Sequence, residues 1–332
     1  MRVAFNTYSA AFDCPGGGEI QLLKTKEALE KRGMEVLLLD PRKPDLNGVR
    51  IVHHFSVQGG SMEFCSHVKE NLGLPLAVSP ILWLGGDKSA YPLDEIGRLL
   101  NLCDIILPNS TAELKLLSEF FDIPEGKFHV TRNSVDPEFA GPVEGELFRE
   151  KFGVKGPFLL NAANIEPRKN QLNLIRAAGA MGMELILLGN VRVGTYFNAC
   201  KEAGGSGVRY LGYVEHGSEL LRSAYNACEA FVLPSLLETP GLAALEAAAA
   251  GARVVITGVG PIEEYFADMV TRVDPNDPDD IRRGIETELA ARRDNSLSKR
   301  IMENFTWDKT ALEVQEAYEK VLGGPAAPPG GG

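Results

Sequence analysis

Short apolar runs alternate with amphipathic stretches along almost the whole chain. Residues 3–5 form the first run. A glycine-rich turn and a helical pattern over 19–31 follow, and Gly33 stops that helix. Further runs stand at 36–39, 49–55, 76–78, 105–107 and 128–130, with helical patterns between several of them, such as 111–121. Apolar runs separated by helices predict parallel strands covered on both faces. The rhythm breaks over 136–157, a stretch rich in Pro, Gly and Glu, and the interdomain link is expected there. It resumes with runs at 158–160, 185–188, 208–211, 230–233, 253–256 and 269–273 and closes with an amphipathic helix over 307–322. The pattern predicts an α/β protein of two doubly wound, Rossmann-like domains, 1–150 and 151–306. The last helix is expected to cross back onto the first domain. The tail 323–332 has no side chains able to pack, so it is expected to be flexible.

Bulk properties narrow the function. A chain of 332 residues exceeds one ordinary core and suits two domains. Its net charge of −11 argues against a nucleic-acid partner, which needs clustered Lys and Arg. The same balance disfavours a polybasic membrane contact but leaves room for a small local patch and transient contact. Cys14, Cys65, Cys103, Cys200 and Cys228 are dispersed, with no CxxC pair. That usage predicts reduced thiols in a cytoplasmic protein. No apolar run reaches membrane-spanning length, and the N-terminus reads as a strand, not a signal peptide.

The stretch 236–251 carries the most chemistry. Glu238 and Glu246 stand eight positions apart across the start of a helix. Thr239 suits the N-cap and Pro240 the first helical position, and Gly251 follows an alanine run as a C′ glycine would. With Pro240 opening the helix, Glu246 would lie about 9 Å down the axis. Free N–H groups at Gly241 and Leu242, with the positive end of the helix dipole, would attract an anion. Glu246 would then accept from sugar hydroxyls below it. A nucleotide diphosphate has that layout. The alternative is a solvated loop acid at 238 and an exposed helix charge at 246. The preceding run 230–233 reads as a buried strand, and ligands in open α/β sheets sit beyond such strand ends.

Two other loops occupy equivalent positions. Gly16, Gly17 and Gly18 follow the first strand and open the first helix, where glycines let amides approach a phosphate. A tight turn needing positive φ explains them equally well. The loop is not GxGxxG, because Gln21 occupies the last position, and it lacks a Walker lysine. Arg168 and Lys169 follow the first strand of the second domain. They could neutralise a leaving diphosphate, Arg as a planar fork and Lys as a point charge, or be ordinary solvated loop charges.

Taken together, these residues resemble family 4 (group 1) retaining glycosyltransferases of the GT-B fold, over nearly the whole chain. The resemblance rests on the glycine loop with Glu19, on Asn133-Ser134-Val135-Asp136 before the link, and on Arg168-Lys169-Asn170. It rests further on Glu238 and Glu246 as the two acids of the E-x7-E signature, and on Phe305-Thr306-Trp307 before the final helix. It implies two domains facing a cleft, a nucleotide-sugar donor on the C-terminal domain and an acceptor from the N-terminal one. It implies that Glu246 binds ribose, that Glu238 lies by the transferred sugar, and that amides at Gly241 and Leu242 meet sugar and phosphate. Arg168 and Lys169 would hold the diphosphate, and Asn190 and Val214 sit in loops that frame the nucleotide. No cofactor or metal is implied.

The chain departs from the family pattern at three places. No His follows the fourth strand, where the sequence runs Val78-Ser79-Pro80-Ile81-Leu82-Trp83, and His53 and His54 read as strand-end residues one strand earlier. Thr239-Pro240 replaces Gly-Phe, and Ser134 replaces Gly. Asp277-Pro278-Asp279 spells a D-x-D metal motif but precedes a helix over 280–289, where acids cap the N-terminus. Acceptor contacts are expected around Trp83, Asp87 and Tyr91. The sequence thus reads as a retaining, metal-independent glycosyltransferase with an unidentified acceptor. The alternatives are a nucleotide-sugar-binding protein with little transfer, and a nicotinamide-dependent oxidoreductase, which the absent GxGxxG opposes.

Overall fold

In the computed structural model, residues 1–40, 45–85, 88–292 and 294–323 are described. The chain divides into two compact units, 1–133 with 307–332, and 134–306.

The first unit is built on a parallel sheet of β1 (Arg2–Thr7), β2 (Glu35–Leu38), β3 (Ile51–Phe55), β4 (Leu76–Ser79) and β5 (Ile105–Ile106), in the order β2-β1-β3-β4-β5. Val52, Val78 and Ile106 are fully buried and pack with Leu99 and Leu117 of neighbouring helices. Burial on both faces is why these strands lack polar alternation. The run 128–130 does not become a strand. Phe128 makes an isolated parallel bridge to Ile106, with His129 N donating to Ile106 O at 2.9 Å and Thr131 N to Pro108 O at 2.9 Å. The helix Trp307–Leu322 belongs to this unit and packs on the helix Gly17–Lys31. Its Tyr318 hydroxyl lies 2.7 Å from His53 Nδ1, and Arg132 N donates to Glu313 at 2.7 Å.

The second unit holds β6 (Phe158–Ala162), β7 (Glu184–Leu188), β8 (Val208–Tyr210), β9 (Ala230–Leu233), β10 (Val254–Thr257) and β11 (Thr271–Val273). All pairs are parallel, in the order β11-β10-β9-β6-β7-β8. The direction of winding reverses between β6 and β9. Such a switch point leaves a crevice beyond the strand ends, because the following loops diverge to opposite faces.

Residues 134–150, expected with the first domain, fold in the second unit. Phe139 and Phe148 are buried there, and Phe148 N donates to Ser223 Oγ at 2.9 Å. The Pro, Gly and Glu content that suggested a link disguises these two aromatic anchors. The proposed tail lies outside the described residues from 324 onward, as does Asp87. Among the described residues no helix is long and apolar enough to cross a membrane.

Candidate active site

The loop after β9 leads into the helix Leu242–Ala249. Its start differs from expectation. Gly241, not Thr239, is the N-cap, with φ +91 and no side-chain cap, and the Thr239–Pro240 peptide is cis. A residue without Cβ adopts that positive φ at least cost. A Cβ on Gly241 would also come 3.1 Å from the Leu233 side chain. Glu246 therefore sits four residues past the first helical residue, about 6 Å down the axis rather than 9. The C-terminal end is as expected: Gly251 N donates to Ala248 O at 3.0 Å and Ala252 N to Ala247 O at 2.9 Å, a Schellman motif.

Gly260 in the loop after β10 has φ +131, and a Cβ there would lie 2.2 Å from Glu238 O. Only glycine permits that approach, which seats the Glu238 backbone. Glu238 N in turn donates to Val259 O at 3.1 Å.

Arg168 and Lys169 form a 3₁₀ turn, Pro167–Lys169, just beyond β6. Asn170 follows with φ +59, and its Nδ2 donates to Pro234 O at 2.9 Å and Pro275 O at 2.6 Å. Leu236 N donates to Arg168 O at 2.8 Å. These bonds tie the β6 loop to the β9 loop across the switch point. Lys169 Nζ thereby reaches Glu238 Oε1 at 2.5 Å. Burial works to raise the Glu238 pKa, but the Lys169 ammonium and then Arg168 overcome it and hold the carboxyl below its usual range. Burial lowers the Lys169 pKa, with Glu238 opposing. Arg168 is more exposed; it pairs with Glu166 Oε1 at 3.0 Å.

Both oxygens of Glu246 are engaged. His216 Nε2 lies 2.7 Å from Oε1, and the Tyr225 hydroxyl donates to Oε2 at 3.0 Å. Tyr225 is fully buried, and burial followed by the Glu246 charge raises its pKa far above the usual phenol value. Neither partner was foreseen from the sequence. His216 stands in an irregular loop after β8, and Tyr225 reads as an ordinary apolar position of the helix Glu219–Ala227.

The second unit thus brings together Arg168, Lys169, Glu238, Gly241, Leu242 and Glu246 beyond β6 and β9. Asn190 follows β7, where its carbonyl accepts from Ile165 N at 2.8 Å, and Val214 follows β8, two residues before His216. Gly16, Gly17 and Gly18 stand on the first unit. Gly16 caps the first helix and its N donates to Glu19 Oε2 at 2.6 Å, while the Tyr8 hydroxyl donates to Oε1 of the same buried acid.

Other sequence features resolve as follows. His53 is buried within β3 between Tyr318 and Ser79, and burial pushes its pKa well down. His54 is buried beside Asn6 at 3.2 Å, its pKa pushed down to about 4. Asp277 caps the helix Pro278–Ala290, its Oδ1 accepting from Asp279 N at 2.9 Å. The Tyr91 hydroxyl donates to Trp83 O at 3.2 Å. Cys65, Cys103, Cys200 and Cys228 are buried and Cys14 is half-buried.

Residues 144–305 match the family model of the glycosyl transferases group 1. An uncharacterized glycosyltransferase of Methanocaldococcus jannaschii is 29% identical over 65% of this chain and 60% of its own length. An O-antigen chain mannosyltransferase B of Escherichia coli is 27% identical over 70% of this chain and 65% of its own. The chain therefore spans less than two thirds of these relatives. Over 97% of its length it is similar to sucrose-phosphate synthase from Thermosynechococcus elongatus, with TM-score 0.81, 19% identity and 99% of that chain covered. Over 96% it is similar to Anabaena HepE in complex with UDP-glucose, with TM-score 0.79, 16% identity and 100% of that chain covered. The fold is GT-B.

Proposed function

We propose that this protein is a retaining, metal-independent glycosyltransferase that uses a nucleotide-diphosphate sugar. The observation that carries the reading is the convergence of helix-start amides at Gly241 and Leu242 with Arg168 and Lys169 at one switch point. The group 1 match over 144–305 and the fold shared with a UDP-glucose complex support the same donor class.

In this reading the diphosphate lies at the helix tip. Lys169 gives one N–H to Glu238 and keeps two for phosphate oxygens. Arg168, paired with Glu166 and close to the Leu237 carbonyl, turns a planar fork onto the same group. Both cations and the helix amides stabilise the charge that develops as the sugar–phosphate bond breaks. Glu238 faces the sugar, and Glu246 accepts from ribose. Asn190 and Val214 frame the nucleotide. Cytoplasmic residence is part of the proposal, supported by the dispersed cysteines, which form no CxxC pair.

Thermal-shift screening against UDP-, GDP- and ADP-sugars tests the donor class, since a ligand that binds only the folded state raises apparent stability. No shift with any of them would overturn it. With a productive pair in hand, the anomeric configuration of the product by NMR should match the donor, and EDTA should leave transfer intact. Loss on chelation, restored by Mg²⁺ or Mn²⁺, would overturn metal independence.

A further inference from the structure

Glu246 is buried, and its two oxygens are held by two different elements: His216 from the loop after β8, and Tyr225 from the helix Glu219–Ala227. A carboxylate has about four lone-pair sites and can only accept. His216 must therefore donate its Nε2–H, and Tyr225 its hydroxyl. Each oxygen is left with one open acceptor position. Phe139 backs both partners, its ring centroid 5.9 Å from His216 and 6.1 Å from Tyr225. That packing fixes which lone pairs stay open, so the carboxylate presents a fixed pair of adjacent acceptors. A ribose offers a matching pair of vicinal hydroxyls, and a 2′-deoxyribose offers one.

We propose that His216 and Tyr225 are positioning residues that make this site selective for ribonucleoside over 2′-deoxyribonucleoside diphosphates. The inference rests on the reading of Glu246 as the ribose acceptor. A site built to hydrogen-bond a hydroxyl rejects the analogue that lacks it, because a buried acceptor is then left dry. Without its lateral donors the Glu246 side chain has rotamer freedom, and it can serve a single hydroxyl as well as two. His216 thus acts through Glu246 and not on the nucleotide itself.

The test is calorimetry of UDP and GDP against their 2′-deoxy counterparts, on the whole chain. The wild type should favour the ribo form of the accepted nucleotide by about 10- to 100-fold, the worth of one hydrogen bond to a charged group. His216→Ala should cut that ratio to within about threefold. His216→Gln, which keeps a donor, should restore most of it. Tyr225→Phe, which keeps the buried ring, should also lower the ratio and serves should His216→Ala fail to fold. A ratio unchanged in both His216→Ala and Tyr225→Phe would overturn the assignment while leaving the ribose reading of Glu246 standing. A wild type that binds neither nucleotide, or binds ribo and deoxy forms equally, would overturn that underlying reading and the assignment with it.

Discussion

Lys169 Nζ and Glu238 Oε1 are 2.5 Å apart, with both side chains largely withdrawn from water. The cation expected on the diphosphate and the acid expected at the sugar are thus partners before any ligand arrives. Removing one member of a buried pair leaves an uncompensated charge, at a cost of about 3–5 kcal/mol. Lys169→Met and Glu238→Gln should each destabilise the protein, and the double mutant should cost less than the two combined. Denaturant unfolding of all four proteins measures the coupling. Strict additivity would show that the pair contributes nothing jointly.

Arg168 makes its side-chain ion pair with Glu166 and is the more exposed of the two cations. Arg168→Ala should leave thermal stability nearly unchanged, since exposed ion pairs are worth about 0–1 kcal/mol. Turnover should fall about 10²–10³-fold, the scale for losing one preorganised charge stabiliser. A well-folded variant with near-normal turnover would remove Arg168 from the leaving-group site.

Glu238 and Glu246 are separable by ligand. Glu246→Ala should weaken nucleoside diphosphate and whole donor alike. Glu238→Ala should spare nucleoside diphosphate affinity and reduce transfer. Calorimetry with nucleoside diphosphate on both variants decides it, and equal losses would contradict a layout with diphosphate at the tip and ribose about 6 Å down the helix.

Glu113 gives a pH signature in the first unit. Its buried carboxylate accepts from Leu82 N at 2.9 Å and Asn109 N at 2.6 Å. Burial pushes its pKa from 4.5 up to about 7, against those two bonds. Between these values the folded chain holds a proton that the unfolded chain has released. Stability from this group is therefore full below pH 4.5 and is lost as pH rises through about 7. The loss is on the order of 3 kcal/mol, at about 1.4 kcal/mol per unit. Unfolding of wild type and Glu113→Gln at pH 5 and pH 8 should show the wild type losing more between the two. Parallel losses would refute the assignment.

The sequence alone determined the two parallel sheets, the helix that Gly251 ends, and the segments that bear Arg168, Lys169, Glu238 and Glu246. Those features are local: strand runs, alanine content and glycine stops act within a few residues. The helix start was misplaced because Thr239 and Pro240 satisfy the usual capping preferences. The turn falls instead at Gly241, whose φ of +91 and closeness to the Leu233 side chain suit a residue without Cβ, and that packing shows only in three dimensions. The boundary at 133 was hidden for a similar reason, since Phe139 and Phe148 show their burial only against Tyr225 and Ser223. His216 and Tyr225 were invisible as site residues, standing thirty and twenty-one positions before Glu246 with no periodicity linking them. Tertiary structure alone could reveal them, because a carboxylate taken out of water must find donors wherever the fold places them.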